Sequence, residues 1–282
     1  MKNLICISLF IIGINQSLFA QDEWEDYVSW AWGGHYSPYM EGTVGYGQLN
    51  QNKFTSDFAN IGTGELKLGY TELKDYRGYV QQLDERYLFG SYAASDFLEL
   101  SEIKPDDVTS EMWKFGIGNR LGFGYAIGPF SLIPYHQMQF IWTNVDWTGM
   151  SSSLSETDTD ILNRYPGSVR FGTSTEAGLK FYIAKSISIT GAVEGAIIFP
   201  RHKVLEWSAS FLLQSLSLGA VSYFAENIVN SSAFLGPIMY FILKNAVGIA
   251  WYMAMKDQMY WPIESETPLS METVRIGTSF TF

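Results

Sequence analysis

The chain ends in the stretch Met271-Glu-Thr-Val-Arg-Ile-Gly-Thr-Ser-Phe-Thr-Phe282, from which the fold can be argued. Alternate residues are apolar, interrupted once by Thr278, and the residues between them are polar or small. The apolar parity holds Val274, Ile276, Phe280 and Phe282, and the other parity holds Arg275, Gly277, Ser279 and Thr281. Side chains with a period of two lie on opposite faces of a β-strand. The stretch therefore predicts a strand with one apolar face, either in a membrane barrel or in a water-soluble sandwich.

The first twenty residues predict a secretory signal peptide. Lys2 gives a positive start, residues 4–12 form a short apolar core, and small residues precede Ala20. That core is too short to cross a bilayer as a helix. The only cysteine, Cys6, lies inside it, so a chain cleaved before Gln21 would have no disulfide, thiolate metal ligand or thiol nucleophile. Residues 21–35 are then an acidic periplasmic segment, and residues 36–282 are the folded domain.

The charge balance argues against a nucleic-acid partner. The sequence has 18 basic and 29 acidic residues, and loss of Lys2 with the signal changes the net charge from −11 to −12. Nucleic-acid binding needs a basic stripe that this composition does not supply. Aromatic residues at 16%, together with 26 glycines, are typical of a barrel whose strands alternate between lipid and lumen.

Residues 114–142 predict a β-hairpin around Gly128-Pro129, where glycine at the first turn position allows a positive φ. A two-residue turn puts Arg120 opposite Gln137 and Gly118 opposite Gln139. The polar side chains of the two strands then lie on the same face of the hairpin, as the inside of a barrel requires.

Residues 169–199 predict a second hairpin around residues 184–186, with apolar residues such as Phe181 and Ile189 on the outside. The same register argument puts Lys180 opposite Thr190 and Glu176 opposite Glu194. Two facing carboxylates in a dry lumen need cations close by.

Further strands are predicted at residues 36–48, 65–71, 86–96, 232–243 and 247–259, which gives about ten strands with eight to twelve possible. Long loops alternate with short turns, the pattern of transmembrane barrels.

Residues 203–230 do not alternate and have leucines at helical spacing, which predicts a helical insertion in a long loop. That insertion is expected to cap the mouth, enter the lumen or lie on the membrane surface, and an extra strand pair is the alternative. A helix is also the alternative to the hairpin at residues 232–259, because Ala246, Ala250 and Ala254 form a small-residue stripe.

The whole pattern resembles the small outer-membrane β-barrels of Gram-negative bacteria, an all-β antiparallel class. The resemblance covers nearly the entire chain after the signal. It implies insertion into outer-membrane lipid by the barrel-assembly machinery, with Phe280 and Phe282 as part of the assembly signal.

Nine charged residues are predicted to line the lumen: Glu65, Lys67, Lys114, Arg120, Arg170, Glu176, Lys180, Glu194 and Arg275. They are expected either to pair across the interior as a structural plug or to form the selective constriction of a pore.

Other chemistry is weakly indicated. His136 on the outward parity is the one candidate base for a barrel-embedded lipid enzyme, but no strong catalytic motif supports it. Asp146, Glu156, Asp158 and Asp160 form an acidic loop that either bridges cations to lipid phosphates or is simply solvated. No cofactor or metal site is predicted.

The sequence favours a narrow pore or small-solute transporter with a charged lumen. The alternatives are a non-conducting barrel that is a structural or partner subunit of an envelope complex, and a lipid-modifying enzyme.

Overall fold

The computed structural model describes residues 36–98, 103–150 and 154–282, and the predicted signal peptide and periplasmic segment lie outside the described residues. The described part of the chain forms eight antiparallel strands closed into a barrel, with three helices. The strands are β1 Ser37–Asn50, β2 Ile61–Arg77, β3 Val80–Ala94, β4 Thr109–Ile127, β5 Phe130–Gly149, β6 Arg170–Ala184, β7 Ile187–Ile198 and β8 Leu269–Thr281. The helices are α1 Glu156–Leu162, α2 Val204–Ser231 and α3 Gly236–Asp257.

Each strand pairs with its sequence neighbours, and β1 pairs with β8 to close the barrel. The predicted all-β antiparallel barrel is confirmed. So are the predicted registers, since Arg120 pairs with Gln137 and Glu176 pairs with Glu194. One end of the barrel carries the short turns and both termini of the sheet, and the other end carries the long loops. We call these the turn end and the loop end.

The predicted count of about ten strands is wrong, since the described residues form eight, the lower limit of the predicted range. The segment predicted as a hairpin at residues 232–259 contains the helix α3, so its alternative interpretation as a helix is confirmed. Pro237 lies in the first turn of α3, where its missing N–H costs no hydrogen bond. The apolar side chains of this segment fit both periods, and packing against the barrel selects the helix. The turn between β2 and β3 was also missed, where Gly78 adopts φ +59°.

The predicted helical insertion is confirmed for α2, but its predicted locations are wrong. Together α2 and α3 form a helical hairpin that lies along the outer wall of the barrel. Near its start, α3 packs Tyr240 on Phe123 of β4, close to the turn end, with ring centroids 4.8 Å apart. Near its end, Tyr252 and Lys256 reach Glu272 of β8, close to the loop end. The helix therefore runs the height of the wall.

The hairpin has the dimensions of a membrane-crossing element. With 28 residues in α2 and 22 in α3, the helices are about 42 and 33 Å long, more than the ~30 Å hydrocarbon layer. Their length and apolar composition also meet the requirements for bilayer-spanning helices. The sides away from the barrel expose large apolar residues: Leu205, Leu212, Leu213, Leu216, Ile242, Ile249 and Met253.

Single cysteines test this placement, because Cys6 in the predicted signal peptide is the only native cysteine. A fluorophore on Leu216→Cys should be quenched by a spin-labelled lipid and not by aqueous iodide, as should the barrel-wall control Leu88→Cys. The loop residue Asp107→Cys should show the reverse. Iodide quenching at position 216 equal to that at position 107 would place the hairpin in water and contradict a membrane-embedded position.

Candidate functional site

The interior of the barrel holds five carboxylates and five cationic side chains, all of them buried. They are Glu41, Glu65, Glu85, Glu176 and Glu194, and Lys67, Lys114, Arg120, Lys180 and Arg275. They come from seven of the strands, because inward positions recur at every second residue. The set is electrically neutral as a whole, and this is what makes its burial tolerable.

Arg120 on β4 is the centre of the half nearer the turn end. Its guanidinium donates two hydrogen bonds of 2.8 Å to the carboxylate of Glu41 on β1 and one of 2.6 Å to Glu85 on β3. It also lies over the ring of Tyr135, 4.3 Å from the ring centroid. Lys180 on β6 contacts the same two carboxylates from the opposite side of the lumen. The contacts of Arg120 with Glu41 and of Lys180 with both carboxylates join strands that are not neighbours, so they cross the lumen. Glu85 instead faces Arg120 from the adjacent strand.

Arg275 on β8 is the centre of the other half. It contacts Glu194 on β7 and donates a 2.9 Å hydrogen bond to Glu65 on β2. Lys114 on β4 reaches Glu194 at 3.1 Å, again across the barrel. The two facing carboxylates Glu176 and Glu194 therefore each have cations nearby, since Glu176 lies 3.5 Å from Arg120 and 3.8 Å from Arg275.

Two residues connect the halves into one network. Lys67 contacts Glu41 at 3.1 Å and Glu65 at 3.5 Å. Glu176 lies between the two arginines and accepts a 2.7 Å hydrogen bond from the Tyr135 hydroxyl. Every charged group in the set is thus paired with more than one opposite charge.

Apolar side chains close the lumen above and below the charges. Toward the turn end, Leu83, Ile133 and Tyr182 form a buried cluster with Leu73 packed against it. Toward the loop end a larger cluster fills the interior: Leu49, Ile61, Met112, Ile141, Val145, Ile198, Leu269 and Met271. An eight-stranded barrel is just wide enough for side chains to fill it. The charges therefore lie in an interior that the described side chains largely fill, and all ten of them are buried.

Eight of the nine predicted lumen residues lie in this network, and Arg170 does not. Arg170 is at the loop end of β6, where its guanidinium donates to the backbone carbonyls of Tyr165 and Pro200. Arg170 is on the lumen side of its strand, as predicted, but it lies too near the rim of the barrel to reach the other charges.

Glu41 and Glu85 belong to the network and were not predicted. The alternation of β1 was obscured by Pro38, and β3 was predicted to begin one residue after Glu85. Glu85 alternates with Tyr87 and Phe89, whose side chains face the lumen, and this alternation is the signal that could have identified it.

The acidic loop residues are not gathered into a metal site. Asp158 in α1 accepts hydrogen bonds from the Thr55 amide and from the Thr55 and Ser56 hydroxyls. Burial raises the pKa of Asp158, but these hydrogen bonds outweigh it and hold the pKa below its ordinary value. Asp146 instead accepts from the Asn144 amide. Within the described ranges, no three potential metal ligands converge. Asp158 therefore fastens the β1–β2 loop to α1 at the loop end of the barrel.

His136 lies on the outer wall as its parity predicted, but it is covered by α3. Its Nδ1 is 2.9 Å from the Asn245 side-chain oxygen.

The two terminal phenylalanines lie outward near the turn end, with Phe280 44% and Phe282 75% exposed. Their role as an assembly signal stays a prediction.

Replacing Arg120 with methionine should strongly destabilise the barrel. Glu41 and Glu85 would each lose a buried guanidinium partner, and breaking a buried pair from one side costs about 3–5 kcal/mol. The matched control is Lys74→Met, which removes the exposed Lys74–Glu72 pair and should cost about 0–1 kcal/mol. Urea unfolding in lipid vesicles measures both, and equal effects would show that the network contributes no more than a surface pair.

No protein-family model and no curated protein matches the sequence. Several solved structures align with most of the chain at low identity. Neisserial surface protein A aligns over 87% of this chain and 97% of its own, with 8% identity and a TM-score of 0.39. The attachment invasion locus protein Ail of Yersinia pestis aligns over 87% and 99%, with 9% identity and a TM-score of 0.31. The outer membrane protein OprG of Pseudomonas aeruginosa aligns over 88% and 98%, with 8% identity and a TM-score of 0.28. These similarities are distant, and the function proposed below rests on the geometry of this chain alone.

Proposed function

We propose that this chain is a non-conducting outer-membrane barrel that serves as a structural or partner subunit of an envelope complex, with the α2–α3 hairpin as its contact element. The observation that carries the proposal is the filled lumen, in which ion pairs cross between opposite strands and apolar clusters close both ends. A barrel of this kind resists unfolding and displays its outer surface, but offers ions no route.

The competing function is the narrow pore favoured by the sequence. A selective pore lines its constriction with charges that face water, so that an ion exchanges its hydration shell for protein groups and leaves again. Here each charged group is ion-paired with at least two groups of opposite charge, and the side chains are at most 4% exposed. Opening a path would require breaking several buried pairs together, at several kcal/mol each.

The hairpin supports the partner part of the proposal. The paired strands already complete the barrel, so the two long helices are not needed to close the sheet. Their outer faces add an apolar surface that differs in shape from the strands around it. In lipid, helices associate through packing and polar contacts, so an exposed helical face offers a surface on which a partner's transmembrane helix can pack.

Planar-bilayer recording tests the non-conducting barrel. Folded wild-type protein, checked by heat-modifiable migration on a gel, should give no stepwise currents when a general porin reconstituted in the same way conducts normally. Stepwise currents whose ion selectivity changes in Lys114→Gln would show that ions pass through the lumen and would reject the proposal.

Site-specific photo-crosslinking in native membranes tests the contact element. A photoreactive amino acid at Leu216, on the exposed face of α2, should give a defined protein adduct of constant mass. The same amino acid at Leu88, on the bare barrel wall, should give lipid adducts only. Identical adduct patterns at the two positions would show that the hairpin is not a contact element.

A further inference from the structure

The outer wall of the barrel is not uniform. Where it is bare, most exposed outward side chains are apolar, and the exceptions include the Lys74–Glu72 and Arg86–Asp84 ion pairs of β2 and β3. The apolar ones include Val44, Leu66, Leu68, Leu88, Leu179, Val193, Val274 and Ile276. Under α3 the outward positions include His136 on β5, Thr175 on β6 and Glu272 on β8, which we call the polar track. Polar side chains are costly on a lipid-facing wall, most of all at the bilayer midplane. The polar track is found on the part of the wall that the helix covers.

His136 is the deepest member of the track. It lies six residues from Phe130 at the turn end of β5 and six from Trp142 toward the loop end, on the same parity as both. Its only described hydrogen bond is the one to Asn245 of α3, and its Nε2 has no partner among the described residues. The Asn245 amide also donates to the carbonyls of Tyr135 and Phe241. This asparagine therefore joins the helix to the wall at mid-depth.

The fit around this contact depends on glycine. A Cβ at Gly248 of α3 would lie 2.7 Å from His136 Cε1 and 3.1 Å from the Thr175 hydroxyl. A Cβ at Gly195 of β7 would lie 2.9 Å from the ring of Tyr252. Each glycine thus allows a close approach that any side chain would prevent.

Glu272 fixes the loop end of the helix. It accepts a 2.8 Å hydrogen bond from Lys256 and a 2.9 Å hydrogen bond from the Tyr252 hydroxyl. The pairing of β7 with β8 does not use the helices. It continues from Ile187–Phe280 to Ile198–Leu269, up to the residues between which the hairpin is inserted. Barrel closure and hairpin docking therefore rest on different sets of contacts.

We infer that the polar track is a selective helix-docking surface, which binds a transmembrane helix bearing an amide at mid-depth and a glycine three residues later, and that α3 is the helix it selects. The selection has a polar part, the His136–Asn245 hydrogen bond, and a steric part, the contact at Gly248. This surface is distinct from the outward face proposed to meet a partner, and the two proposals stand independently.

Carbodiimide cross-linking of the full-length protein in lipid vesicles tests the inference. The Lys256–Glu272 pair reports docking, because it joins α3 to β8. The Lys203–Glu206 pair at the start of α2, 3.7 Å apart, serves as an internal reference that does not involve the wall. Cross-linked peptides are quantified across a temperature series, and variants are compared at the temperature where half of the wild type is docked.

Asn245→Leu should lower the ratio of docked to undocked protein by about fivefold or more, since it leaves His136 buried without a partner. Gly248→Ala should lower the ratio as well, through the clash with His136. The matched controls are Ala246→Leu, on the exposed face of α3, and Gly219→Ala, where an added Cβ meets nothing within 4 Å. Both controls should dock as the wild type does.

Docking of Asn245→Leu and Gly248→Ala at the control level would overturn the inference, since bulk packing would then hold the hairpin. Failure of Gly248→Ala to form a closed, heat-modifiable barrel would also overturn it, because closure is assigned to the strand ladder alone.

Discussion

The structure depends on one constraint, the need of every backbone polar group in a bilayer for a partner within the protein. The pairing of β1 with β8 meets it by leaving the sheet no open edge. Closure then creates an inside and an outside, and the period-two alternation of each strand sends one set of side chains to each. The outside is mostly apolar, as a lipid-facing wall requires. The inside of so small a barrel must be filled by whatever side chains the inward parity supplies.

In this chain the inward parity supplies charges in the middle and apolar groups at both ends. A lone charge in such an interior would be prohibitively costly, and the neutral network is tolerated because each group has several opposite charges around it. Arg120 and Arg275 are suited to this task, since a planar guanidinium binds two or more carboxylates at once. The network ties non-adjacent strands together, so the same ion pairs make the barrel rigid and fill its lumen. Because the lumen is filled, the outer surface is the part of the barrel that is open to a partner.

The helical hairpin makes one part of that surface different from the rest. It covers the part of the wall where His136 and Glu272 would otherwise meet lipid, and it presents apolar faces outward. Its sequence is compatible with two secondary structures. Residues 247–259 have apolar groups at both strand and helix spacing. Only the presence of a wall with matching glycine and polar positions decides between the two.

The sequence by itself determined the barrel class, the inward and outward parities and the registers of the two best hairpins, because alternation and tight turns are local properties. It also determined eight of the ten lumen charges. The tertiary structure decided the number of strands, the helical state of α3 and the partners of each charge. These depend on which residues meet across the lumen or across the wall, and contacts between residues far apart in the chain leave no periodic signal in it.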